Sequence, residues 1–336
     1  MKKLLIIFLV LLGVTAPEAT AQRKAGRSGA AFLEIGVGAR EVALGSAVTS
    51  LANDANQIFW NPAGTALAGD QKLSVALSYG SWIADLSYSA AALGYNLDQF
   101  GTVTVGVQVF GVSDIPANRQ NGYEDPLLQD LVTDNETSAT FNYTDLAFNV
   151  SYARYFFDRL TLGATFKVIN ESIDGESAGA IGFDFGSVYR VGVAGWQIAA
   201  RLSNLGTEMQ FYNQSNPLPL TFSIGTSIYP VNTERTRVML TVDTTKPIDS
   251  QQLLYGGAEV SLYDLLFLRA GYKFNYSEAE DGGTSERDAI KTSIEGVSLG
   301  GGLQYEVGGY AVALDYAFTQ MDLLDNVHRF TLRLGL

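Results

Sequence analysis

From residue 73 to the C-terminus, hydrophobic and polar positions alternate in short, repeated runs. Between 102 and 109, Val103, Val105, Val107 and Val109 share one parity, while Thr102, Thr104, Gly106 and Gln108 share the other. Leu160, Leu162, Ala164, Phe166 and Val168 stand in the same way against Thr161, Gly163, Thr165 and Lys167. The chain ends on Phe330, Leu332, Leu334 and Leu336, set against Thr331, Arg333 and Gly335. A period of two marks strands whose two faces meet different surroundings. Runs of about ten residues, repeated without helical periodicity between them, predict a transmembrane antiparallel β-barrel. The pattern places strands at 71–80, 84–95, 101–112, 143–155, 159–170, 179–190, 195–204, 219–229, 236–243, 252–262, 265–275, 294–305, 309–318 and 328–336, fourteen in all.

The links between these strands point the same way. Short links follow the second, fourth, sixth, eighth, tenth and twelfth strands, whereas long ones follow the third, seventh and eleventh, at 112–142, 204–218 and 275–293. The short link after the first strand departs from the pattern. Outer-membrane barrels carry short periplasmic turns and longer outside loops, so the parity predicts an even strand number with both termini in the periplasm. A soluble sandwich has no reason to alternate its link lengths.

Parity also separates a lipid face from a lumen face. Leu146, Phe148, Val150 and Tyr152, or Leu266, Leu268, Ala270 and Tyr272, form apolar sets opposed by Asn149 and Ser151, or by Arg269 and Lys273. A charge facing lipid at mid-bilayer costs roughly 2–4 kcal/mol, which assigns the charges to the lumen. Lys167, Arg201, Arg269, Lys273 and Arg333 are expected there beside Asp145, Asp184, Glu259 and Asp315. Both signs on one inner wall suit a structural ion-pair lattice, with a selectivity lining as the alternative. The run Gly300-Gly301-Gly302 is a candidate for a strand kink of the sort that marks a lateral opening.

The N-terminus has a different character. Lys2 and Lys3 precede an apolar run at 4–14 and then Ala19-Thr20-Ala21. This predicts a secretory signal peptide over 1–21, cleaved near Ala21, because the apolar run is too short to span a membrane as a helix. No cysteine follows for a lipid anchor, and none exists for disulfides or thiolate metal sites. Charged residues make up 17% of the chain and glycines number 35, a balance suited to barrel bends and interfacial girdles. A net charge of −13 argues against nucleic acid as a partner. Residues 22–70 do not alternate; a short helix is expected around Ser46 to Asn53, and the segment closes on Trp60-Asn61-Pro62-Ala63-Gly64.

The stretch from Phe32 to Leu67, FLEIGVGAREVALGSAVTSLANDANQIFWNPAGTAL, resembles the N-terminal signature of the PorV/PorQ family of FadL-like outer-membrane proteins. The matching positions are Phe32, Leu33, Ile35, Gly36, Ala39, Arg40, Gly45, Ala47, Asp54 and the Trp60-to-Gly64 motif. The resemblance implies a fourteen-stranded barrel of Bacteroidetes-type Gram-negative bacteria, over 71–336, with 22–70 as a hatch inside the lumen. Independent physics agrees that something must fill such a barrel, since its interior is too wide for its own side chains. Arg40 and Asp54 are expected to pair with lumen charges, and ligand binding by these two is the alternative. Asn61, Pro62 and Ala63 form the hatch motif, and Asn-Pro favours a turn.

Two functions follow from the resemblance. One is type IX secretion, in which such barrels bind exported proteins or help attach them at the cell surface. The other is FadL-like passage of fatty acids or other hydrophobic small molecules. Expected partners are therefore outer-membrane lipid and either type IX cargo or attachment proteins, or a hydrophobic ligand. The acidic loop with Glu124, Asp125, Asp130 and Asp134 is a candidate for a basic partner or weak divalent-cation binding, although solvated loop faces are also acidic. A second acidic loop holds Glu278, Glu280, Asp281, Glu286 and Asp288.

No enzyme is expected. His328 is the only histidine, and both Gly-x-Ser-x-Gly stretches, 175–179 and 296–300, lack the strand-to-helix turn of a nucleophile elbow. No cofactor motif or metal spacing is present.

Overall fold

A computed structural model of the protein describes residues 27–67, 71–117, 140–274, 295–322 and 324–336. The strands are β1 Leu73–Ser81, β2 Ser87–Asn96, β3 Thr102–Pro116, β4 Thr140–Phe156, β5 Leu160–Ile173, β6 Glu176–Arg190 and β7 Gln197–Gly206. Two short strands follow, β8 Met209–Phe211 and β9 Gln214–Asn216. The series resumes with β10 Thr221–Asn232, β11 Thr236–Pro247, β12 Leu253–Leu262, β13 Leu266–Phe274, β14 Glu295–Val307, β15 Tyr310–Met321 and β16 Val327–Gly335. Fourteen of them form one closed antiparallel barrel, and β8 and β9 pair only with each other. Closure comes from β1 against β16, with Leu77 opposite Leu332.

The alternation resolves as the sequence pattern implies. Apolar outward residues such as Leu77, Val105, Phe148, Leu268 and Leu332 are exposed, and their inward neighbours are buried. An exposed apolar wall over a buried polar interior is the inverse of a soluble barrel, and it is what lipid demands. Tyr95, Phe100, Phe157, Tyr263, Tyr305 and Tyr310 stand exposed around one end, as an interfacial aromatic girdle does. That end also carries the short turns at 97–101, 157–159, 191–196, 233–235, 263–265 and 308–309, together with the start of β1 and the end of β16. It is the periplasmic, inner end by the turn-length rule.

Three expectations need correction. Residues 46–53 are not helical: Ser46 and Asn53 take left-handed φ values of 65° and 68°, which break a helix at both ends of that stretch. The one α-helix among the described residues, α1, is Ala39–Ala43. The triple glycine at 300–302 is no kink, because it pairs in register with β13 and β15. Register shifts lie elsewhere, at Val112/Ile115, Phe183/Phe185, Ile228/Val231 and Glu295/Ser298. The link after β7 is not plain loop, since it folds back as the β8–β9 hairpin.

Residues 29–67, before β1, lie inside the barrel. α1 contacts β13 to β16, the 3-10 turn Ala55–Phe59 contacts β1 to β4, and the 3-10 turn Pro62–Thr65 contacts β3 to β6. Leu44, Val48, Ile58, Ala63 and Asn61 are wholly buried there. The segment enters near the outer end, where the Gly29 amide donates to the Pro217 carbonyl at 2.9 Å. It leaves at the inner end, where the Leu67 amide donates to Thr102 Oγ1 at 3.0 Å.

Candidate functional site

The lumen is built from contacts between this inner segment and the wall. The first kind is a pair of notches where the wall has no side chains. Gly163 of β5 stands opposite Gly186 of β6. A Cβ at Gly163 would lie 2.5 Å from the Ala63 nitrogen, and one at Gly186 would lie 1.8 Å from Asn61 Oδ1. Asn61, Pro62 and Ala63 therefore fill a space that only two facing glycines leave open. Asn61 is the local organiser: its Oδ1 accepts from the Ala63 amide at 3.1 Å, and its Nδ2 donates to the Thr49 carbonyl at 2.7 Å. Pro62, the first residue of the 3-10 turn, has no amide to leave unsatisfied there. A second notch, Gly257 of β12 opposite Gly271 of β13, receives Leu44 and Gly45.

The second kind of contact is a continuous chain of alternating charges. Arg40 of α1 donates from Nε and Nη2 to the two carboxylate oxygens of Glu259, at 3.0 Å each. Glu259 also accepts from Arg269 Nε at 2.6 Å, and Arg269 Nη1 reaches Asp315 at 2.6 Å. Asp315 in turn holds Arg333 Nε at 2.7 Å, and Arg333 Nη1 reaches Asp54 at 3.3 Å. The chain starts and ends on the inner segment and crosses β12, β13, β15 and β16 between. Three guanidiniums face three carboxylates, so charge is balanced, and Arg269 at its centre has a fully buried side chain. Such geometry is what a buried ion network needs to offset its desolvation.

Glu41 sits beside this chain and accepts from Asn56 Nδ2 at 3.0 Å. Burial, and after it the nearby Asp54, push its carboxyl up to about 7, with Arg40 and Arg333 pulling the other way. Arg40 itself is moved down by burial but further up by Glu259.

The other inward charges form separate groups. Lys167 pairs with Asp184 at 2.7 Å and donates to Asn204 Oδ1 at 2.8 Å. Lys273 pairs with Glu295 at 2.6 Å, near the outer end. Arg201 donates to the Trp60 carbonyl at 3.0 Å and lies over the Trp60 ring. Asp145 accepts from the Tyr143 hydroxyl. Asp243, not singled out by sequence, accepts from the Thr49 amide at 2.8 Å. The lumen is thus several pairings, with Arg40, Asp54, Glu259, Arg269 and Asp315 brought into one and Asp184 and Lys273 placed in two others. Glu124, Asp125, Asp130 and Asp134 lie outside the described residues, as does the second acidic loop.

Sequence parity missed an apolar patch on the inner wall near the outer end. Tyr88, Phe110, Ala147 and Ile169 point inward there and pack around Phe32 and Val37 of the inner segment, with Met209 and Leu218 from the link after β7. The signal was available, since Phe110, Ala147 and Ile169 have the parity of lumen residues while being apolar. The wall glycines Gly163, Gly186, Gly257 and Gly271 were legible in the same way, as glycines at lumen parity.

At the inner end, a cavity of about 320 Å³ remains between the inner segment and the wall. Arg40, Arg333 and Glu259 line it, together with Tyr229, Arg237 and Gln197. Among the described residues no group of three or more His, Cys, Asp or Glu side chains is placed to hold a metal ion.

Comparison with known proteins adds family and fold. The family model described as "Type IX secretion system protein PorV" matches residues 18–250. No curated protein matches by sequence. Among solved structures, the toluene transporter TbuX of Ralstonia pickettii is similar with a TM-score of 0.54 at 13% identity, over 89% of this chain and 97% of that one. A Pseudomonas aeruginosa FadL homologue is similar with a TM-score of 0.53 at 10% identity, over 90% of this chain and 98% of that one. The toluene transporter TodX of Pseudomonas putida gives 0.51 at 13% identity, over 89% and 97%. At these identities the likeness shows a shared barrel fold.

Proposed function

The chain belongs to the family of the type IX secretion system protein PorV, and from that premise we propose that it binds or handles exported proteins at the outer membrane in type IX secretion. In this reading residues 1–21 are a cleaved leader, 22–70 a resident hatch and 71–336 the barrel that displays the outer loops. The family match over 18–250 carries the proposal. The lumen is consistent with it: the hatch is seated in glycine notches and tied at Arg40 and Asp54 to wall charges. A barrel so filled offers its outward loops for recognition, and the sequence 118–139 brings five acidic residues, among them Glu124, Asp125, Asp130 and Asp134. Acidic loops steer and hold a basic surface on the exported protein. FadL-like passage of a hydrophobic molecule is the second reading, favoured by the apolar inner patch around Phe110 and Ile169, where such a molecule would displace Phe32 and Val37.

A pull-down tests the first reading. A protein exported by the type IX route is expected to co-purify with the intact barrel and to be lost on deletion of 124–136. Undiminished recovery with the deleted loop would remove that loop from the recognition surface.

A further inference from the structure

The charge chain is not equally covered along its length. Its carboxylates are withdrawn, with side-chain exposures of 7% at Glu259, 1% at Asp315 and 7% at Asp54. Its two outer cations show more, 17% at Arg40 and 16% at Arg333, and both line the inner cavity. Arg237, the second residue of β11 at the inner rim, adds a third guanidinium to the lining, against the single carboxylate of Glu259. Its own partner is the rim residue Asp264, with side-chain exposures of 43% and 55%, an open pair that yields easily. Arg40 uses Nε and Nη2 on Glu259, and Arg333 uses Nε and Nη1 on Asp315 and Asp54. Each keeps one terminal nitrogen outside those bonds. Gln197 also lines the cavity, with a buried amide oxygen that has no donor. Cations turned toward the space, with an unmet acceptor beside them, select a ligand that carries both an anion and N–H groups.

We propose that the inner-end cavity is a binding site for a carboxylate-bearing peptide segment arriving from the periplasmic side, and that its occupation loosens the hatch. The remaining terminal nitrogens of Arg40 and Arg333 can each donate a charge-assisted hydrogen bond to a carboxylate, and Gln197 takes a peptide N–H. About 320 Å³ is the small end of ligand cavities, which suits a chain end or an acidic side chain and excludes a folded domain. A carboxylate placed between Arg40 and Arg333 competes with Glu259 and Asp54, the wall-side and hatch-side ends of the latch. Occupation therefore weakens the ties that hold the inner segment. The site goes beyond the secretion reading and does not depend on the outer loops.

The test uses the purified full-length barrel in detergent micelles with acetyl-Ala-Ala-Asp as probe, followed by calorimetry. Binding is expected, and the neutral isostere acetyl-Ala-Ala-Asn-amide should bind about tenfold or more weakly, the loss typical of a charged hydrogen-bonded contact. Arg237→Gln should weaken the acidic peptide to a similar degree, and Lys246→Gln, toward the opposite rim on β11, should not. No binding, equal binding of the isostere, binding of inorganic phosphate as tight as the peptide, or indifference to Arg237→Gln would overturn the site. The first three comparisons use the unaltered protein and do not depend on any variant folding. Loosening is read by maleimide labelling of Ser50→Cys, a wholly buried hatch position in a chain without cysteine. Labelling should rise several-fold with the acidic peptide; an unchanged rate with peptide bound would overturn the coupling.

Discussion

At the scale of single residues, the charge chain holds because each of its members meets a partner of opposite sign on another element. Arg269 is the clearest case, held between Glu259 and Asp315 with a side chain that meets no solvent. Arg269→Ala would take one guanidinium away from each of two buried carboxylates, Glu259 and Asp315, and breaking buried pairs in this way costs about 3–5 kcal/mol. Arg237→Ala, which removes an open rim pair, should cost at most about 1 kcal/mol. Urea unfolding in micelles distinguishes the two, and equal costs would mean that the network carries no stability. Glu41 gives a pH signature of opposite sense. Its folded value of about 7 lies above the ordinary 4.5, so the folded state binds the extra proton. Its stabilising contribution is full below about 4.5 and is lost as pH rises through about 7. Hatch protection in hydrogen exchange, corrected for intrinsic rates, should decline from pH 5 to pH 8 and stay flat in Glu41→Gln. The inward direction of these charges was legible from parity, because only the lumen tolerates them. Their partners were not: Arg40 meets Glu259 across 219 residues and Arg333 meets Asp54 across 279, contacts that exist only after the sheet closes.

At the scale of elements, period two located all fourteen barrel strands, as lipid on one side and polar lumen on the other force the alternation. The hatch was harder to read. Its helix lies at Ala39–Ala43, not at 46–53, because the wall and two left-handed residues shape this segment more than its own periodicity does. The β8–β9 hairpin was hidden for the same reason, since three-residue strands show too little alternation to detect. What seats the hatch is the absence of side chains at Gly163 and Gly186. Gly163→Val would drive atoms into Pro62 and Ala63, contacts already at 2.5 Å for a bare Cβ. The barrel should still insert, but residues 53–67 should lose exchange protection. Gly296→Ala, whose Cβ would meet nothing within 4 Å, is the control that should leave protection unchanged.

At the scale of the whole molecule, a wide barrel is occupied by residues 29–67 of its own chain, held there by charge, apolar packing and glycine notches. The fold is shared with toluene transporters and a FadL homologue, whereas the family match is to a secretion protein. One fold can serve both, so the role is decided by what the molecule handles. The measurement that decides it most directly is the fate of type IX-exported proteins in cells lacking this chain. The secretion account predicts that they fail to reach the cell surface and are recovered when the intact protein is restored. Normal surface display, accompanied by loss of uptake of a hydrophobic solute, would contradict it.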